Sequence, residues 1–385
     1  MFIQRLNLQN FRSYPGLTVT FPKEGALLEG LNGAGKTNLL ESIHVLCTGR
    51  SQRGASRVDM IAHGQEAAYL EGDFCYGDDD DGNDGNTDNA IAGATVAAAR
   101  RLVNTAIGFS KDKKFVMKRD GADLRSYTEW FGERPVVSFG ADDLELVYGS
   151  PDTRRKFLDM LISQIDRQYL DALTSYRKNM AHRNALLGGI NDPALFDIYE
   201  QAMAVSASKI VSARMEIITE LCVLVKDYYA DISGEKESAK IEYLSKLKYD
   251  FTCISEWQNL YLNTLSDRRA KDAELMFTGA GPHRDDLRFS LDGRPAKTYA
   301  SQGQCRSFAL SLKLGSALLL ERRRGAGMIF LVDDAVSELD PERTSRVYPL
   351  LEGRGQIFIA TPKCHASIGS RVLRCAVEPG RVTVS

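Results

Sequence analysis

From the first residue the apolar positions fall at strand spacing: Ile3, Leu6 and Leu8, then Leu17 to Phe21, then Ala26 to Leu28 running into a glycine turn. A period near two over such short spans predicts three strands. From Lys36 the period lengthens, and Leu39, Leu40, Ile43 and Leu46 share one helical face. Residues 66 to 119 return to strand-like alternation, interrupted by YGDDDDGNDGNTDN, a polar stretch predicted to be a solvated hairpin connection or a disordered insertion. It does not read as a calcium loop, because its carboxylates are out of register and no Glu closes it. Near residue 139 the texture becomes helical. Ser150-Pro151-Asp152 is a helix start, and Phe157, Leu158, Leu161, Ile165, Tyr169, Leu173, Tyr176 and Met180 follow at three- and four-residue steps. GGINDP breaks the run and Leu195, Ile198, Tyr199, Met203, Ile210, Met215 and Ile218 resume it. The spacing predicts a helical hairpin packed into a lobe, its two helices roughly 35 residues and about 50 Å each. Strand patterning returns near Leu275, and the last stretch alternates helix and strand. The chain is therefore expected to be α/β, with residues 1–138 and 275–385 forming one domain and residues 139–274 an α-helical lobe inserted in it.

Composition narrows this only a little. The 385 residues are 43% hydrophobic and 26% charged, ordinary for a globular chain, and the net charge of -2 supplies no global pull toward nucleic acid. Any such binding must come from local basic clusters. Seven cysteines without CxxC spacing fit neither a disulfide framework nor a zinc site, so reduced thiols in the cytoplasm are expected. The N-terminus lacks a signal pattern, no run reaches the length of a membrane span, and no membrane association is expected.

The chemistry begins at GLNGAGKT. Gly30 to Thr37 fits G-x-x-x-x-G-K-[ST] at each fixed position, with a buried strand before it and a helix after it. In such a loop the backbone of Gly30, Leu31, Asn32, Gly33, Ala34 and Gly35 wraps phosphates, Lys36 reaches the β- and γ-phosphates, and the Thr37 hydroxyl sits on Mg²⁺. Asn38 completes the nucleotide-binding set. Downstream, Met328 to Val332 is a continuous apolar run, a strand buried on both faces, and it ends in Asp333 and Asp334. Successive strand side chains point to opposite faces, so the two carboxylates receive different work: Asp333 in the Mg²⁺ shell, Asp334 orienting or activating the attacking water.

Ser301, Gln302, Gly303 and Gln304 open a helix that is apolar nearly all round. A helix start with bare N–H groups and no charged partner is an anion site, the alternative being a plain serine cap. The order of a P-loop, then ASQGQ, then FLVDD with SELD behind it, resembles the SMC-like group of ABC-type ATPases. LQNFRSY, GLNGAGKTNLLESIHVL, TGRSQRGASR, GSPDTRRKFLDMLISQ, HRNALL, GPHRDD and SQGQCRSFALSLKL are similar to the RecF family across nearly the whole chain. The resemblance implies an ABC-type P-loop ATPase head with an inserted α-helical lobe, using ATP and Mg²⁺. It makes Gly30 to Thr37 the Walker A loop, Asp333 and Asp334 the Walker B acids, and Ser337 to Asp340 the D-loop. Ser301 to Gln304 becomes a signature turn that covers the γ-phosphate held by a second subunit, which places Lys36, Asp333, Asp334 and Ser301 in the catalytic set. It further implies an ATP-dependent homodimer that binds double-stranded and gapped DNA and works with RecR and RecO, and indirectly with RecA. Two departures point to slow hydrolysis and a timed clamp: Asp334 stands where transporter-type ATPases carry Glu, and Ala360-Thr361-Pro362 holds no switch histidine, His365 lying too far on.

Basic clusters occur at Arg50, Arg53 and Arg57, at Lys111, Lys113, Lys114, Lys118 and Arg119, and at Arg154, Arg155 and Lys156. The second, on a hairpin, is the expected DNA face. The first is expected nearer the nucleotide or a dimer seam. Arg154 and Arg155 fit either DNA or bracing against Asp142, Asp143 or Asp159. His283 to Asp286 has no metal-like partner set and reads as structural. The rival functions are a nucleotide-binding subunit of an ABC transporter, disfavoured by the large inserted lobe, and a non-hydrolysing ATP-gated adaptor.

Overall fold

The structure, a computed structural model, describes residues 1–77, 101–189, 192–234, 237–247, 254–325, 327–334, 340–351, 355–362 and 372–384. The chain begins with β1 (Phe2–Phe11), β2 (Tyr14–Thr20), β3 (Gly25–Glu29), α1 (Lys36–Thr48), β4 (Ala67–Tyr76), β5 (Arg101–Ser110), β6 (Phe115–Arg119), β7 (Ala122–Asp123), α2 (Tyr127–Trp130) and β8 (Val136–Gly140). It continues through α3 (Glu145–Tyr148), α4 (Pro151–Ile165), α5 (Arg167–Leu187), α6 (Pro193–Ser233), β9 (Ala239–Leu244), α7 (Ile254–Asp267), α8 (Arg269–Leu275), β10 (Asp286–Leu291), β11 (Arg294–Pro295), α9 (Ala296–Tyr299) and α10 (Gln302–Arg324). It ends with β12 (Ile329–Asp333), α11 (Pro341–Leu351), β13 (Gln356–Thr361), β14 (Leu373–Glu378) and β15 (Arg381–Val384). Two compact units result: Met1–Trp130 with Ala326–Asp334 and Glu352–Ser385, and Phe131–Gly325 with Ala335–Leu351.

In the first unit β2-β1-β4-β5-β6-β7 form an antiparallel sheet, and β15-β14-β3-β13-β12 lie in that order in a second sheet whose β14, β3, β13 and β12 run parallel. Helix α1 packs against both sheets. This corrects the one-faced helix expected from Leu39, Leu40, Ile43 and Leu46: Glu41, Ser42, His44 and Thr48 are buried as well. Burial between two layers demands partners for those polar groups, and Ser42 Oγ donates to Leu39 O while Thr48 Oγ1 donates to His44 O. Gln356, fully buried, ties the sheets together. Its side chain accepts from Ile3 N and donates to Ile3 O and Pro22 O, each at 2.8 Å. Beside it Gly25, at φ +105°, admits β13 where a Cβ would lie 1.8 Å from Ile357 O.

In the second unit the expected hairpin has a broken first arm. Asp166 leaves helical geometry at φ -128°, ψ 114° and caps α5 by accepting from Gln168 N, so that arm is α4 of 15 residues and α5 of 21. The apolar spacing continues across the break, which hid it. The second arm, α6, runs 41 residues, about 60 Å at the standard rise. Strand β9 was not foreseen; it lies between stretches read as helical and pairs with β10. Near Leu275 the chain is still helical, and strand geometry begins only at Asp286. The arms are held by enclosed ion pairs. Arg183 reaches Glu200 at 3.0 Å and Asp272 at 2.9 Å with all three side chains fully buried, and Arg214 reaches Asp159 at 2.7 Å. Removing one member would leave an uncompensated buried charge, costing about 3 to 5 kcal/mol. Arg154 braces this unit through Asp286, at 2.7 and 2.9 Å, and Arg155 donates to Asp285 O, rather than to the acids named from sequence. Asp143 instead pairs with Lys313. His283 bridges Tyr176 Oη at 2.6 Å and Thr278 O at 2.9 Å, and burial pushes its pKa down to about 4, so it is a neutral spacer. The cysteines Cys47, Cys75, Cys222, Cys305 and Cys375 are free thiols.

Candidate functional site

Strand β3 delivers the chain into Gly30 to Gly35, and α1 starts at Lys36. The turn is possible because Gly33 (φ +83°) and Gly35 (φ +109°) take left-handed conformations. Gly35 is the N-cap, no side chain caps the helix, and its first turn holds no acid. The α1 start is thus a positive dipole end with no acid of its own in the first turn, a setting that suits a phosphate. Lys36 is 7% exposed, and its Nζ donates to Gly30 O at 2.5 Å and Leu31 O at 2.9 Å. Burial lowers its pKa, while the charges of Asp334 and Asp333 oppose that shift. The loop's own carbonyls therefore hold the ammonium against the turn.

The residues before the loop support it, a role that sequence reading quoted in LQNFRSY without recognising. Tyr14 Oη donates to Gly35 O at 3.1 Å, Asn38 Nδ2 donates to Ser13 Oγ at 2.9 Å, and a Cβ on Gly35 would lie 2.9 Å from both Ser13 Oγ and Tyr14 Oη. Arg12 grips the buried Glu41 of α1 with two bonds, 2.8 and 2.9 Å. Asn10 and Arg12, both left-handed, form the bend that points these side chains at α1.

The carboxylates come from β12. Register pairs Asp333 with Ala360 and Thr361 with Glu29, so β12, β13 and β3 end together. Ligands of open α/β sheets bind beyond such carboxyl ends. Asp333 Oδ1 accepts from Thr37 Oγ1 at 3.0 Å, joining residues 296 positions apart. Its pKa is raised, first by burial and then by the charge of Asp334, against the lowering effects of Thr37, Arg53 and Lys36. The alternation argument does not govern Asp334. The strand ends at Asp333, and Asp334 turns left-handed (φ +52°) with its N–H on Ala360 O at 3.0 Å. Oxygen atoms on Thr37 and Asp333, the latter a half-buried carboxylate, suit a hard divalent cation such as Mg²⁺.

The start of α10, in the second unit, differs from expectation. Two of its N–H groups are already met: Ser301 Oγ accepts from Gln304 N at 3.2 Å and Gln304 Oε1 accepts from Ser301 N at 2.6 Å, a complete capping box. Gln304 Nε2 donates to Glu237 Oε1 at 2.6 Å, so the Gln304 amide is committed at both ends. Ser301 remains exposed. A Cβ on Gly303 would lie 2.9 Å from Arg343 Nη1, which brings to the turn a cation that sequence reading missed.

On the β5–β6 hairpin, Lys111 pairs with Glu66 (3.0 Å), Lys114 with Asp112 (2.9 Å) and Lys118 with Asp123 (3.6 Å), while Arg119 donates to Glu129 O at 2.7 Å. Lys113, at the turn with φ +67°, has no acid partner among the described residues. Ser337 to Leu339 of the D-loop stretch, His365 and most of the acidic stretch from residue 77 to 90 lie outside the described residues. Among the described residues no His, Cys, Asp and Glu cluster forms a self-contained metal centre, and no helix is long and apolar enough to cross a membrane.

Comparison with known proteins places the whole chain. The family described as RecF/RecN/SMC N terminal domain matches residues 2–373. The DNA replication and repair protein RecF of Rippkaea orientalis is 31% identical over 380 residues, covering 95% of this chain and 94% of its own length. That of Heliobacterium modesticaldum is 33% identical over 371 residues, covering 95% and 94%. A solved structure of the recombination mediator protein RecF with ATP, from the RecFOR pathway, superposes with a TM-score of 0.86 at 28% identity, covering 100% of this chain and 97% of that one. An Smc head bound to a winged-helix domain of ScpA shares the fold, with a TM-score of 0.56 at 15% identity. With its ABC-type ATPase head fold and this match over nearly its whole length, the chain belongs to the RecF/RecN/SMC family, among its RecF proteins.

Proposed function

We propose that this chain is an ATP-dependent DNA-binding clamp of recombinational repair, which dimerises around ATP and hydrolyses it slowly to release. The observation that carries the reading is the 3.0 Å contact of Thr37 Oγ1 with Asp333 Oδ1 beside an uncapped helix start. That juxtaposition serves a metal-bound triphosphate and has no evident structural need. In this reading Gly30 to Asn38 cradle the phosphates through backbone N–H groups. Lys36 leaves Gly30 O and Leu31 O for the β- and γ-phosphates. Thr37 and Asp333 hold Mg²⁺, which when bound neutralises charge on the β- and γ-oxygens. Asp334 takes the proton of, or orients, the attacking water, and its short reach supports slow turnover. Ser301, Gln302, Gly303 and Gln304 close over the γ-phosphate held by a second copy. The relatives' names, a DNA replication and repair protein and a recombination mediator of the RecFOR pathway, support a place in that pathway; duplex and gapped DNA as the substrate, and RecR, RecO and RecA as partners, extend the reading by the family resemblance.

Light scattering with ATP, with ADP and without nucleotide tests the clamp. The mass should double in ATP alone, and an unchanged mass in ATP would sink the reading. Lys36→Arg should still bind ATP and dimerise but fail to hydrolyse; turnover equal to wild type would show the lysine role to be misassigned.

A further inference from the structure

The loop that leaves α1, residues 49 to 57, carries Arg50, Arg53 and Arg57 on a fixed frame. Gly49 closes the helix in a left-handed conformation (φ +72°), its N–H on Val45 O at 2.7 Å. Tyr127 packs on that glycine, where a Cβ would lie 3.0 Å from Tyr127 Cε2, and Tyr127 Oη donates to Thr48 O at 2.7 Å. Further along, Ser51 Oγ donates to Glu41 Oε1 at 2.5 Å, the same carboxylate that Arg12 grips, and Arg12 Nη1 reaches Asp59 O at 2.7 Å just beyond the loop.

On this frame two guanidiniums lie over aromatic rings. Arg50 Cζ is 4.7 Å from the Tyr127 centroid, and Arg57 Cζ is 3.4 Å from the Phe115 centroid. Both residues are exposed, and neither pairs with an acid among the described residues. Stacking seats a guanidinium flat and leaves its N–H edge for another partner. Burial, and after it the charge of Arg50, lowers the Arg57 pKa, so two like charges are gathered without a counter-charge. The hairpin lysines present a different arrangement, since Lys111, Lys114 and Lys118 each lie within ion-pair distance of Glu66, Asp112 or Asp123.

We propose that Arg50 and Arg57, seated on Tyr127 and Phe115, contact the phosphodiester backbone of duplex DNA, in place of the β5–β6 hairpin lysines. This rests on the DNA-binding reading above. A nucleotide phosphate has the same chemistry, but two separately seated guanidiniums match a ligand that repeats its charge along a chain.

The test is anisotropy of a labelled duplex against salt, with ATP present. The Arg50→Ala/Arg57→Ala variant should bind about 10- to 100-fold more weakly at low salt, with a log–log salt slope flatter by about two, because each neutralised phosphate contributes about one. Lys111→Ala/Lys114→Ala should keep the wild-type slope, and ATP affinity should be unchanged in both. Arg57→Lys, which keeps the charge and loses the stacking, should keep the slope with a few-fold loss of affinity, and this separates contact from folding. A wild-type slope in the arginine double variant overturns the proposal, as does a loss of ATP affinity with the DNA slope intact, which assigns the pair to the nucleotide. If wild type itself fails to bind duplex at low salt, the DNA reading falls, and this proposal with it.

Discussion

Two helices of this chain begin at glycine- and serine-rich turns proposed to meet phosphate, and they begin in opposite ways. Helix α1 has a left-handed glycine as its N-cap, no capping side chain and a buried lysine held by loop carbonyls. Helix α10 is closed by a reciprocal Ser301–Gln304 box, and Gln304 is anchored in turn to Glu237. The first start has no side chain of its own set on it. The second carries side-chain partners on the N–H groups of Ser301 and Gln304. In the proposed dimer, a turn braced in this way would meet the other copy's nucleotide as a preformed lid, and affinity would depend on whether the lid fits.

That contrast can be broken in steps. The largest effect should come from Ser301→Arg, which places a bulky cation on the lid: the ATP-dependent dimer should be lost in light scattering while the monomer binds ATP as before. A dimer that persists would reduce Ser301 to a cap. Next, Lys36→Ala should weaken ATP binding about 10- to 100-fold by calorimetry, the loss expected for a charge-assisted bond to phosphate. Gly35→Ala forces a side chain into φ +109° against Ser13 and Tyr14, and should cost about 1 to 3 kcal/mol of stability in denaturant melts and empty the cradle. Equal stability would mean that the loop reshapes freely. The smallest effect should be Ser301→Ala, which removes a cap worth about 1 kcal/mol; the melt should shift slightly with ATP affinity intact.

Much of the first cradle was legible in sequence because P-loop chemistry is local. The glycines, Lys36 and Thr37 are consecutive, and the apolar run before Asp333 announces a buried strand by itself. The support from Arg12, Ser13 and Tyr14 was not legible, since it depends on a bend with two left-handed non-glycine residues aimed at α1. The strand-alternation argument for Asp334 did not apply, for a related reason: nothing in FLVDD says that the strand ends at Asp333 and that Asp334 turns left-handed. The start of α10 was read as bare because the box between Ser301 and Gln304, and the tie of Gln304 to Glu237, exist only once the helix has formed. Lys111 to Arg119 stood out as charge, but Glu66 and Asp123 reach them only across strand pairings. Conversely, Arg50 and Arg57 looked like loop arginines until Tyr127 and Phe115 came beneath them.

The sequence by itself determined the P-loop, the order of the motifs and the helical interruption, because these are carried by residues adjacent along the chain or by short-period patterns. Only the tertiary structure decided which charges are already satisfied. An ion pair or a stacked guanidinium is set by distances of a few ångströms between residues far apart in sequence, and no local pattern records those distances.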